Sequence, residues 1–165
     1  EFTSSLTEDL KRRDFTINAM AMDESGAVTD LFGGRADLSR RVIRCVGEPE
    51  TRFREDALRM LRAYRFAAQL GFSLDAQAAI RRCAPLCASL SRERVREEAE
   101  KTLLSDRPEY FGRMLAEGLL GACIRAEKCL RPRYTASAPA AIAARNDCVS
   151  PAGARISGLR VMDIS

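Results

Sequence analysis

Glu55, Asp56, Arg59, Arg62 and Arg65 place two carboxylates ahead of three guanidiniums at helical spacing. On a helix turning about 100° per residue they fall on one side, while Phe53, Ala57, Met60, Leu61, Tyr64, Ala67 and Ala68 fall on the other. One side can pack while the opposite side presents charge. A carboxylate beside a guanidinium offers acceptors next to donors, which is the pattern a polar base edge requires. The same charges also fit a solvated helix face with i,i+3 and i,i+4 ion pairs, each stabilising by about 0.2–0.5 kcal/mol. This stretch alone leaves both readings open.

The elements that must position it follow from punctuation and periodicity. Pro49 suits the first turn of the helix that carries these residues, and the pattern predicts one continuous helix to about Leu70, with Gly71 closing it. Upstream, the first residues read as a strand end, and Thr7 to Arg13 as a short helix with Thr7 as its N-cap. Ala19–Asp23 and Ala27–Leu31, joined across Glu24-Ser25-Gly26, read as a β-hairpin. A helical turn is expected around Ala36–Arg41 and a brief strand over Val42–Val46, with no strand signal beyond Gly47. Downstream, Ser73 or Asp75 caps a helix through about Cys87 that Pro85 interrupts. Ser91 opens another helix, on which Val95, Ala99 and Leu103 share a face with it, and Pro108 starts one whose Phe111, Met114, Leu115 and Leu119 point one way. Residues 131–153 read as loop with one helix at Ala138–Arg145, and Ile156–Ile164 is too short to assign.

The chain has 165 residues, 46% apolar and 30% charged, with a formal net charge of +4. That is the make-up of a soluble globular protein of one domain, or two small ones sharing a core. No apolar run approaches the roughly 18 residues of a membrane span, and no signal peptide is present, so a cytoplasmic setting without a membrane partner is expected. Nine arginines fall between residues 35 and 65. Arginine is suited to bidentate contact with phosphate, carboxylate or a base edge, so a polyanion partner is favoured. Six cysteines and no histidine occur, with no CxxC pair. This argues against zinc and removes the usual Ser-His and Cys-His nucleophile pairs, and Cys83 and Cys87 read as buried small hydrophobes. The start at Glu1 rather than Met points to a piece of a longer protein.

Four segments resemble one family in order and spacing. Arg12-Arg13-Asp14-Phe15-Thr16-Ile17-Asn18-Ala19 is similar to the RRDFTINA segment of bacterial tRNA nucleotidyltransferases (the class II CCA-adding enzymes) and the related bacterial poly(A) polymerases. Asp30-Leu31-Phe32-Gly33-Gly34 with Asp37-Leu38 resembles their D-x-F-G-G-x-x-D-L segment. Arg52 to Arg62 resembles their E-D-x-x-R helix with its flanks, and Ser91-Arg92-Glu93-Arg94 their S-x-E-R helix. The likeness spans roughly residues 1–121.

The resemblance implies an α+β chain: a small β-hairpin remnant of a nucleotidyltransferase head (1–47), a mostly helical neck and body (48–130), and the start of a further body region (131–165). It implies a protein that adds C and A to tRNA 3′ ends from CTP and ATP, this part selecting the nucleotide and binding RNA. Alternatives are a poly(A) polymerase, a CC- or A-adding enzyme, or a non-catalytic helical RNA-binding module. Metal-binding carboxylates for Mg²⁺ are expected upstream, so no catalytic or metal residue is expected in this chain, and the chain alone is expected to be inactive. By resemblance, Asp56 accepts from the exocyclic amino group of cytosine or adenine, and Arg59 donates to the adjacent ring nitrogen. Glu55 holds Arg59 in register, Arg62 and Arg65 meet phosphates or the tRNA end, and Arg13 contacts nucleotide with Asp14 and Asn18 near the ribose. Asp14 and Asn18 also fit plain turn roles, Gly33-Gly34 reads as a tight turn rather than a phosphate cradle, and Ser91–Arg94 reads as either a cap or an RNA contact.

Overall fold

The computed structural model describes residues 2–120 and 159–161. The expected helix at Ala138–Arg145 and loop at 131–153 lie outside them. Helix α1, Phe2–Lys11, contains Thr7 in its interior, so the helix begins earlier than expected and the first residues are not a strand end. A 3₁₀ turn at Thr16–Asn18 follows, then the hairpin of β1, Met20–Asp23, and β2, Val28–Asp30, paired Met20↔Asp30 through Met22↔Val28. Asp23 closes the turn by accepting from the Ser25 and Ala27 N–H groups at 2.9 Å each.

Helix α2, Gly34–Arg40, is started by Asp30, whose carboxylate accepts from the Gly34 and Arg35 N–H groups at 2.9 and 3.0 Å. Strand β3 is only Val42–Ile43, shorter than expected, but the backbone beyond it stays extended and is held on two sides. On one side it pairs in parallel with β4, Ser73–Leu74, a strand the sequence does not announce. On the other side Thr16 N–H donates to the Arg44 carbonyl at 2.9 Å and Val46 N–H to the Asp14 carbonyl at 3.1 Å. The Arg13-Asp14 segment is thereby pinned to the start of the helical region.

The predicted continuous helix is two helices, α3, Pro49–Glu55, and α4, Leu58–Leu70. Asp56 lies between them in extended backbone (φ −150°, ψ 106°), and its Oδ1 accepts from the Leu58 N–H at 3.0 Å. A short carboxylate that satisfies the next helix's first N–H competes with continued helix, which accounts for the break. Gly71 ends α4 in the left-handed region (φ 68°), as expected. Ser73 is in β4 and α5 spans Gln77–Cys83, so neither Ser73 nor Asp75 is its cap. The 3₁₀ segment Ala84–Ser89 follows at Pro85. Helix α6, Arg92–Leu103, is capped by Ser91, whose Oγ accepts from the Arg94 N–H at 3.4 Å. It buries Val95, Glu98 and Thr102, whereas Leu103 is exposed, contrary to the expected stripe. Helix α7, Glu109–Ala116, buries Tyr110 and Met114 and leaves Leu115 exposed. Residues 159–161 form β5, antiparallel to β1.

One apolar cluster joins Phe15, Ile17, Ile43 and Cys45 to Phe53, Met60, Leu61, Tyr64 and Phe66 of α3 and α4, and to Ile80, Val95 and Met114 beyond. All seven residues of the expected apolar side are buried, and so are Ala63 and Phe66. Helix α4 is thus enclosed on several sides, packed by α6 and α7. Among the described residues no helix is long and apolar enough to cross a membrane.

Candidate functional site

The site forms where the C-terminal end of α1, the break between α3 and α4, and the first turn of α6 meet. Arg52 is its fastener. Its Nε donates to the Val46 carbonyl at 2.8 Å, Nη2 to the Lys11 carbonyl at 2.5 Å and Nη1 to Glu55 Oε2 at 2.8 Å. The same Glu55 oxygen accepts from Arg59 Nη1 at 2.8 Å. Arg59 also donates to the carbonyls of Arg52 at 3.4 Å and Arg12 at 3.2 Å. These bonds occupy three of the five guanidinium N–H groups and leave Nε–H and one Nη2–H. Arg59 is mostly covered, with its side chain 17% exposed. The expected Glu55–Arg59 pair is therefore present, with Arg52 as a second partner. Hydrogen bonding from Arg52, then from Arg59, holds the Glu55 carboxyl below its ordinary pKa despite some loss of solvent.

Asp56 projects from the break rather than from a helix. Its Oδ2 lies 2.9 Å from Arg94 Nη2, so the base-edge candidate on α3–α4 is tied to the S-x-E-R segment on α6. Asp14 is buried; its Oδ1 accepts from the Phe15 N–H at 2.9 Å and its Oδ2 is 2.9 Å from Arg62 Nη2, within ion-pair reach but without hydrogen-bond geometry. Among the described residues the buried side-chain atoms without a hydrogen-bond partner are Asp14 Oδ2, Asn18 Oδ1 and Arg62 Nε. Buried polar atoms are ordinarily hydrogen-bonded, so three such atoms on expected site residues mark hydrogen-bonding capacity left open, although Asp14 Oδ2 is engaged electrostatically by Arg62. Arg13 reaches back to Asp9 at 3.2 Å on α1 and stands apart from the Glu55–Arg59 clamp.

Arg65 departs from the expected ladder. Its Nε donates to Glu98 Oε2 at 2.7 Å and its Nη1 to Gln69 at 2.9 Å, and its guanidinium lies 4.1 Å from the Phe66 ring centroid. It is buried between α4 and α6 and acts as an interhelical link, because α6 packs over that side of α4. The ladder reaches only to Arg62, and both Arg59 and Arg62 are partly buried.

The two glycines of the Asp30–Asp37 segment act as a close-approach turn. Gly33 has φ 78°, and a Cβ on Gly34 would stand 2.3 Å from the Thr16 carbonyl oxygen. That approach lets Asp37 Oδ2 accept from Thr16 Oγ1 at 2.5 Å and from Arg44 Nε at 2.8 Å. Asp14 and Asn18 flank this anchored stretch. Sequence reasoning passed over Arg52, Arg94 and Asp37 as positioning residues. Only the i,i+3 spacing of Arg52 to Glu55 was a signal within the sequence itself.

Residues 1–44 match the family model described as "Poly A polymerase head domain", and residues 71–123 the one described as "Probable RNA and SrmB- binding site of polymerase A". The chain is 61% identical over 104 residues to the CCA-adding enzyme of Geobacillus stearothermophilus, covering 62% of this chain and 26% of that protein. It is 52% identical over 125 residues to the CCA-adding enzyme of Lactobacillus delbrueckii subsp. bulgaricus, covering 74% of this chain and 32% of the relative. Among solved structures, the Bacillus stearothermophilus CCA-adding enzyme in complex with CTP superposes with a TM-score of 0.66 at 56% identity, over 69% of this chain and 30% of that one. The Thermotoga maritima CCA-adding enzyme complexed with tRNA gives a TM-score of 0.65 at 32% identity, over 71% of this chain and 30% of that one. The chain spans about a quarter of the length of the first of these curated relatives, 26%.

Proposed function

We propose that this chain, a member of the nucleotidyltransferase family of the CCA-adding enzymes and poly(A) polymerases, is the nucleotide-selecting, RNA-contacting part of a tRNA nucleotidyltransferase. The intact protein adds C and A to the 3′ end of tRNA from CTP and ATP. The observation that carries this reading is the Arg59 guanidinium immobilised by Glu55 and the Arg12 carbonyl, one helical turn after an Asp56 carboxylate that is itself held by Arg94. Cytosine and adenine both present an amino donor next to a ring-nitrogen acceptor. Asp56 accepts from the first, and Arg59 donates to the second through the N–H groups that Glu55 and the backbone leave unused. Uracil and guanine present a carbonyl and a ring N–H instead, so each polar group would meet its own kind. A good polar pair discriminates by about 1–3 kcal/mol, and a dry unpaired group raises the penalty.

Glu55 and Arg52 stop Arg59 from rotating away, which is the pre-organisation a side-chain template requires. Asp14 and Asn18 are proposed to take the ribose hydroxyls with the oxygens that make no hydrogen bond, Asp14 exchanging its ion pair with Arg62, while Arg13 and Arg62 meet phosphate or the tRNA end. Residues 1–47 would close the catalytic head and residues 48–130 form the neck and body. The transfer itself is attack of the RNA 3′-hydroxyl on the α-phosphate with release of pyrophosphate. Mg²⁺ is the proposed metal of the intact protein and would supply charge stabilisation for the transfer. No three His, Cys, Asp or Glu side chains among the described residues are grouped to hold a metal ion, so the residues described here do not fit the metal centre.

The test is nucleotide incorporation by the intact gene product into tRNA that ends before CCA. Addition of C, C and A in order is expected. Long A tails on any RNA would instead make it a poly(A) polymerase. Salt-dependent RNA binding without incorporation would make it a binding module.

A further inference from the structure

Asp56 owes its orientation to a residue 38 positions away. One oxygen is fixed by the Leu58 N–H at 3.0 Å and the other by the Arg94 guanidinium at 2.9 Å. With both oxygens engaged, the side chain is confined to one rotamer even though it leaves an extended stretch where no helical neighbour restricts it. Each carboxylate oxygen has a second lone-pair direction, so it can still accept from a base.

We propose that Arg94 is a positioning residue for base selection, holding the Asp56 carboxylate where it meets the base and coupling that choice to the seating of α6. The proposal rests on the reading of Asp56 given above. Ser91 caps α6 through the Arg94 backbone N–H, so the Arg94 side chain is free for another task. One turn on, Glu98 fastens α6 to α4 through the buried Arg65 pair at 2.7 Å, and Thr102, a further turn on, is also buried. Residues 94, 98 and 102 recur at i,i+4, so the base of the Arg94 side chain stands on a fixed helix face. The Arg94 side chain is 51% exposed, so the pair adds little to folding stability. Its cost, if lost, falls on orientation. A carboxylate released from Arg94 can turn to the unused N–H groups of Arg59, and acceptor and donor would then satisfy each other instead of the base.

The experiment compares Arg94→Ala, Arg94→Lys, Asp56→Ala and the double variant R94A/D56A in the intact protein, on tRNA lacking its terminal CCA. The readout is kcat/KM for CTP and ATP divided by that for UTP and GTP, a ratio that does not depend on the folded fraction. Arg94→Ala is expected to lower the ratio about two- to fivefold, chiefly through KM, with the melting temperature nearly unchanged. Arg94→Lys should recover part of it, and Arg94→Ala should add nothing in the Asp56→Ala background. Asp56→Ala losing the preference while Arg94→Ala retains it overturns this proposal alone, as does additivity in the double variant. Retention of the preference by Asp56→Ala itself overturns the templating reading and this inference with it.

Discussion

Replacing Gly34 with alanine tests how the Arg13–Asn18 stretch is held. The added Cβ would be 2.3 Å from the Thr16 carbonyl oxygen and 3.0 Å from Met20 Cγ and Sδ. An ordinary contact begins at 3.4 Å, so α2 and the Thr16 turn must separate by about 1 Å. Overpacking of this kind costs about 1–3 kcal/mol. The same separation stretches the 2.5 Å bond from Thr16 Oγ1 to the buried Asp37, and losing one bond to a charged group costs a further ~1.5–3 kcal/mol. Together the loss is roughly 2.5–6 kcal/mol, a large part of a typical domain's stability. Gly26→Ala is the control: Gly26 has φ 86° and nothing within 4 Å of its Cβ position, so only backbone strain of about 1–2 kcal/mol applies. Urea unfolding of the two variants beside the unaltered protein measures the difference. Gly34→Ala should be the more damaging by about 2 kcal/mol or more, and a loss no greater than that of Gly26→Ala would refute the close-approach argument.

Two further outcomes follow from the ion pairs. Arg65→Met alone leaves Glu98 buried and unpaired and should destabilise by about 3–5 kcal/mol, whereas adding Glu98→Leu should restore most of it; additive losses in a double-mutant cycle would contradict the interhelical link. The Glu55 clamp predicts a direction with pH. Its carboxyl is held below the usual value by Arg52 and Arg59, so the clamp's contribution is complete above the unfolded value and is lost as pH falls through the folded one. Carbon-detected NMR titration of Glu55 should show that lowered midpoint, and Arg52→Ala should raise it; an unmoved midpoint would count against Arg52 as the main partner.

Much of this arrangement could be read from local pattern. The hairpin follows from its Asp23–Gly26 turn, α4 from its apolar side, and α6 from Ser91, because each depends on residues close in sequence. The Glu55–Arg59 pair was legible for the same reason. What was not legible depends on distant partners. The E-D-A-L-R pattern is compatible with unbroken helix, and only the choice of Asp56 to bond Leu58 interrupts it. Arg65 has the spacing of an exposed ladder, but Glu98, 33 residues later, draws it inside. Strand β4 has two residues and no alternation to betray it, and it exists because the 41–46 backbone needs a partner. Arg94 read as part of either a cap or an RNA contact, and its tie to Asp56 appears only when α6 is packed on α4.

Under the proposed function, side chains of this chain read the base. The most direct measurement is the preference of the intact protein for CTP and ATP over UTP and GTP, with and without Asp56→Ala, at equal tRNA concentration. Loss of the Asp56 acceptor should reduce that preference by about 1–3 kcal/mol, roughly five- to 150-fold. A preference that survives unchanged in a folded Asp56→Ala protein would place base selection elsewhere.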